Sequence, residues 1–147
     1  MNTDTRLAVS AHILALLSFA PPGKVYTSAV AARSVNTNPV VVRRLMGKLK
    51  QSGLITVFRG KGGAALSRPA ETITLLDVFN AIVPPGKRCP FELHQNPSPR
   101  CFIGKNIHDA LEMPLAKARS ALQESLATTT IADIAAFIRA RRENETD

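Results

Sequence analysis

The chain has 147 residues and a mass of 15.8 kDa, the size of one domain or of one domain with an added arm. It is 45% apolar and 20% charged, which argues against a disordered chain, and its two cysteines, Cys89 and Cys101, are too few for a disulfide-stapled secreted scaffold. The net charge of +8 and a pI near 10.2 favour anionic partners, nucleic acid or a membrane surface. That charge is concentrated in the front of the chain: residues 1–88 hold 12 Lys+Arg against 3 Asp+Glu, and residues 89–147 hold 7 against 8.

Leu7 to Ala20 faintly resembles a secretory leader. However, Asp4 and Arg6 leave its start without net positive charge, Ser10 and His12 interrupt it, and a run of about 14 residues is too short to span a bilayer. Leu7, Ile13, Leu14 and Leu17 recur at helical spacing, which predicts a core helix over Thr5–Ser18, ended by Pro21-Pro22-Gly23. A cytoplasmic location without membrane contact follows, where both thiols would be reduced. A short helix is expected over Ser28–Arg33, capped by Thr27. Asn38-Pro39 opens a third helix, with Asn as cap and Pro at the first helical position. Its apolar stripe is Val42, Leu45, Met46 and Leu49, and Ser52-Gly53 closes it. Leu54–Phe58 reads as a strand, Arg59–Gly63 as a glycine-rich turn and Ala64–Ser67 as the returning strand. Thr74 caps a helix to Val83, with Asp77 three residues on as in a capping box.

Five prolines between 84 and 100 make regular structure improbable and mark a long connector. A long helix is expected from about Gly104 or Lys105 to about Ala127, kinked at Pro114. Its stripe is Ile107, Leu111, Leu115, Ala118, Leu122 and Leu126. A last helix, Ile131–Arg142, follows Thr130. The expected division is therefore residues 1–83, a connector at 84–104, and 105–147.

Three helices followed by a basic glycine-rich hairpin form a winged helix–turn–helix, so the expected fold is mostly α with a small β-hairpin wing. A helix fits the major groove with its first turns facing base edges. Asn38, Val40, Arg43 and Arg44 stand there, and Arg, Asn and Val have the chemistry to meet guanine, adenine and the thymine methyl. Arg59 and Lys61 lie at the hairpin tip, and Lys48, Lys50 and Arg68 are candidates for phosphate. A solvated basic face on a protein-binding module is the competing interpretation. No catalytic triad, phosphate-cradling loop or carboxylate pair can be assembled, so an enzyme is not expected.

The run Leu45-Met46-Gly47-Lys48-Leu49-Lys50-Gln51-Ser52-Gly53-Leu54-Ile55, then Arg59-Gly60-Lys61-Gly62-Gly63-Ala64, Leu66 to Pro69 and Ile73-Thr74-Leu75-Leu76-Asp77-Val78, resembles the Rrf-type winged-helix regulators. Their members include sensors of the IscR/NsrR kind. The resemblance implies a homodimeric bacterial transcription factor, usually a repressor, on a roughly palindromic operator of double-stranded DNA. It also implies DNA contacts at Asn38, Val40, Val41, Arg43, Arg44, Arg59 and Lys61, and a long dimerisation helix after the connector.

The Ile107–Leu126 stripe either packs back on the first and last helices or pairs with its copy in a second subunit, and both can hold on different faces. Cluster-binding relatives place three cysteines in the connector. This chain has two, eleven residues apart, so no iron–sulfur cofactor is expected. Cys89, His94, Cys101 and His108 have ligand types suited to zinc but match no familiar spacing, and no metal is expected. Cys101 lies at a helix start beside Arg100, which favours the thiolate, and Cys89 could resolve its oxidised form. Cys101-Phe102-Ile103-Gly104-Lys105-Asn106 resembles a subgroup lacking the cluster cysteines, some of which respond to oxidants. Two inert thiols are the alternative.

Overall fold

The structure, a computed structural model of the chain, describes residues 3–60, 62–83 and 91–145. The elements follow one another as α1 (Thr3–Ser18), α2 (Ser28–Val35), α3 (Pro39–Gln51), β1 (Ile55–Phe58), β2 (Gly63–Leu66), α4 (Leu75–Ile82), α5 (Phe102–Ala127) and α6 (Ile131–Glu145). The fold is mostly helical with one small antiparallel hairpin, as expected.

The helix boundaries are set by specific side chains. The Thr27 hydroxyl accepts a hydrogen bond from Val30 N and opens α2, which Asn36 ends in the left-handed conformation. Asn38 Oδ1 accepts from Val40 N at 2.8 Å, with Pro39 next. At the other end of α3, Gly53 N donates to Lys50 O and Leu54 N to Leu49 O. This paired closure needs a left-handed residue, and Gly53 has φ +73°. Thr74 and Asp77 form a reciprocal capping box on α4. Thr130 and Asp133 make the same two bonds on α6.

The core is aliphatic. Ile13, Leu14 and Leu17 of α1, Val42, Leu45 and Leu49 of α3, Leu54, Ile55, Ile73 and Val78 are buried in one cluster. Burial of such side chains at roughly 25 cal/mol per Å2 is the main force holding the unit together. In the hairpin Ile55 is paired with Leu66 and Phe58 with Gly63. Tyr26 joins the free edge of β2 through Tyr26 N to Ala64 O and Ala64 N to Tyr26 O, an isolated β-bridge that the sequence pattern did not reveal.

The two helices of the 105–147 segment have different surroundings. α6 packs on α1, and its Ile131 and Ala135 are buried in the front unit. Leu75 N donates to Thr129 O and Ile131 N to Ile73 O, so the two capped helix starts are bonded back to back. Arg139 also lies 4.7 Å over the Phe19 ring. By contrast, α5 begins at Phe102, two or three residues earlier than expected, runs through Pro114 and has no buried residue.

Candidate nucleic-acid interface

A helix turns about 100° per residue, so the buried stripe of α3 leaves Val40, Arg43, Arg44, Gly47 and Lys50 on the opposite side. Val40 is 54% exposed, and Arg43, Arg44 and Lys50 are all exposed. No described carboxylate pairs with any of these cations; Arg68 pairs with Asp77 at 2.9 Å elsewhere on the surface. Gly47 has open space around its missing side chain, so a ligand can approach the helix backbone between the arginines and Lys50.

Four residues assigned from sequence sit differently. Val41 is half-buried against the core on the flank of α3, because its position lies between the buried stripe and the outward face. Lys48 is half-buried too, and its ammonium donates to Ile82 O at 2.9 Å. It thereby satisfies a free carbonyl at the C-terminus of α4, where a cation also meets the negative end of the helix dipole. Arg68 is held by Asp77, the residue that completes the α4 capping box, and so ties the hairpin to α4. The Asn38 carboxamide oxygen is used in the cap, and two-point recognition of adenine would need that oxygen.

The hairpin tip carries exposed Arg59, with Gly62 N donating to Phe58 O behind it; Lys61 lies outside the described residues. Gly63 is required by packing. A β-carbon there would meet Val25 Cγ2 at 2.6 Å and Tyr26 O at 3.1 Å. Thr56 and Ser67 share a hydroxyl hydrogen bond of 2.8 Å across the hairpin base.

In the connector, Cys101 is exposed and forms the N-cap of α5. Its sulfur makes no capping hydrogen bond of ordinary geometry, yet the backbone N–H groups of Gly104 and then Ile103 favour the thiolate and hold the thiol below its usual pKa. Gly104 closes this cradle, since a β-carbon there would strike the Ser98 carbonyl. Cys89 lies outside the described residues. His108 Nε2 donates to the His94 carbonyl at 2.8 Å. Among the described residues no three His, Cys, Asp or Glu side chains gather closely enough to hold a metal ion.

The expected dimerisation residues Ile107, Leu111, Leu115, Leu122 and Leu126 are all half-exposed, and Ala118 is exposed. α4 touches α5, but its eight residues extend about 12 Å against about 39 Å for the 26 residues of α5. Phe102 and Ile103 at the start of α5 are 84% and 70% exposed. No described helix is long and apolar enough to cross a membrane.

The sequence profile of the Rrf2 family, described as iron-dependent transcriptional regulator, matches residues 3–136. The Bacillus subtilis protein YwnA, named as an HTH-type transcriptional regulator, is 37% identical over 131 residues, which cover 89% of this chain and 95% of that one. A crystal structure described as that of a DNA-binding protein is 36% identical with a TM-score of 0.71, covering 88% of this chain and 97% of the other. The structure of CymR, the global cysteine regulator of B. subtilis, shares the fold at 22% identity and a TM-score of 0.68, over 92% and 97% of the two chains.

Proposed function

The chain belongs to the Rrf2 family of transcription regulators, and from that premise we propose that it is a homodimeric repressor that reads a roughly palindromic operator in the cytoplasm. It is a DNA-binding regulator and not an enzyme. The observation that carries the reading is the outward face of α3, where Val40, Arg43 and Arg44 stand exposed with no described carboxylate beside them. Arg43 and Arg44 are the base-reading residues, Val40 offers an apolar contact to a thymine methyl, and Arg59 on the wing enters a neighbouring groove. Lys50 contacts phosphate and gives affinity without sequence information. Asn38 sets the start of the reading helix.

The dimer forms through α5, whose apolar stripe is left half-covered in the single chain. Two-fold pairing places the two α3 helices about one DNA turn apart. The signal enters at Cys101. Its thiolate attacks a peroxide oxygen; the S–O bond forms, the O–O bond breaks, sulfur is oxidised to the sulfenic acid and hydroxide or alkoxide leaves. A second thiol, Cys89 or one from the partner subunit, then displaces the hydroxyl group as water and forms a disulfide. Because Cys101 is the N-cap of α5, the change is transmitted directly to the helix that joins the subunits.

The test is fluorescence anisotropy with duplex DNA from upstream of the chain's own coding region, against random duplex, over a salt series. A clear preference for the upstream duplex supports the reading; equal affinity for both overturns it. Mass spectrometry of Cys101 before and after a mild peroxide dose, paired with the same assay, tests the switch. Unchanged affinity after oxidation removes the switch and leaves the DNA reader.

A further inference from the structure

On the flank of α3 that faces α1, Arg6, Val41, Arg44, Leu45 and Lys48 line a recess of about 270 Å3. Three cationic side chains therefore converge from two helices. Arg6 comes from near the N-terminal end of α1, where the helix dipole adds partial positive charge. The Lys48 ammonium is fixed by its bond to Ile82 O, and two of its three N–H groups remain for another acceptor. Arg44 stands at the junction of the recess and the outward face. No described carboxylate pairs with any of the three.

Like charges around one polar recess repel unless an anion lies between them. Phosphate suits this arrangement: arginine grips it at two oxygens and lysine acts as a point charge. Because Arg44 belongs to both surfaces, the nearest source of phosphate is the DNA strand bordering the groove that α3 enters. We infer that the recess holds a phosphate group, that of the bound duplex, and that Arg6 is a phosphate-contacting residue contributed by α1. The inference rests on the duplex-binding reading above and extends the contact surface beyond the helix–turn–helix and the wing.

The experiment compares wild type, Arg6→Ala and Arg6→Lys by anisotropy on upstream and random duplex over a salt series. Inorganic phosphate is titrated calorimetrically into the DNA-free proteins at low salt. Loss of one phosphate contact flattens the log–log salt slope by about 0.9, so the wild-type advantage over Arg6→Ala shrinks about threefold between about 50 and 200 mM salt. The same change is expected on both duplexes, with Arg6→Lys restoring most of the slope. A structural role would not produce this, and an unchanged melting temperature for Arg6→Ala confirms that the fold is intact. If the slope stays constant but saturable phosphate binding is lost in Arg6→Ala, the recess is a phosphate site filled by a free anion. If Arg6→Ala changes neither readout, the recess is not a phosphate site, while upstream preference in the same assay leaves the DNA reading standing. Equal wild-type affinity for both duplexes is the separate failure of that reading.

Discussion

Three cations on α3 have different surroundings, and the difference is one of angle around the helix. Arg43 and Lys50 point away from the core and are exposed; Lys48, two residues before Lys50, points towards α4 and is hydrogen-bonded there. Arg43→Ala should lower affinity for the operator by about 1–3 kcal/mol while barely changing affinity for random duplex. Lys50→Ala should weaken both alike and flatten the salt slope. Lys48→Met should also appear in thermal unfolding, with a loss of about 1 kcal/mol for the hydrogen bond to Ile82 O. If Lys48→Met leaves the melting temperature unchanged while Lys50→Ala lowers it, the roles are reversed. Cys101 follows similar local logic. Backbone N–H groups of Gly104 and Ile103 favour its thiolate, so its alkylation rate should rise with pH at a lower midpoint than that of an ordinary thiol. The stability linked to this shift is present above the unfolded pKa and lost as pH falls through the lower folded value. Gly104→Ala, which forces Ser98 away from α5, should return the midpoint towards the ordinary value; an unchanged midpoint would mean that the N–H groups do not set it.

At the scale of elements, most of the fold was legible because its boundaries are written in short-range chemistry. Thr27, Asn38, Thr74 and Thr130 each cap the helix they precede, and Gly53 ends α3. These signals need only a few neighbouring residues. What the sequence concealed depends on distant partners. The Tyr26 bridge exists because Ala64 offers an open edge, and nothing near Tyr26 announces it. The roles of Lys48 and Arg68 are set by Ile82 and Asp77, which composition cannot rank above DNA as partners. The recess at Arg6 escaped for the same reason, since α1 and α3 meet only in the fold. Hidden packing also distinguishes the wing glycines. An added β-carbon at Gly60 meets nothing, whereas at Gly63 it collides with Val25 and Tyr26 O. Gly63→Ala should cost about 1–3 kcal/mol through overpacking and displace the wing, whereas Gly60→Ala should be near neutral. Equal melting temperatures for the two variants would show that the base of the wing gives way without resistance.

At the scale of the whole molecule, the chain folds one compact unit around α1 and α3 and leaves a 26-residue helix without a single buried residue. An isolated surface helix gains little from propensity alone and is held chiefly by packing of its apolar face. α4 is too short to cover that face, and α6, the next helix in sequence, is committed to α1. A second copy of α5 would satisfy the remaining stripe, and two-fold symmetry would give each DNA half-site its own α3. Sedimentation velocity should therefore show a species of twice the 15.8 kDa chain mass at micromolar concentration. Leu115→Glu, at the middle of the stripe and only half-buried in the single chain, should shift the population to monomer while circular dichroism stays unchanged. Operator affinity should fall steeply in this variant, because a monomer loses the second half-site, whereas weak binding to random duplex should persist through the intact α3 face. Wild type sedimenting as a monomer with full operator preference would leave α5 to some other purpose. A Leu115→Glu variant that remains dimeric would place the subunit contact away from the stripe.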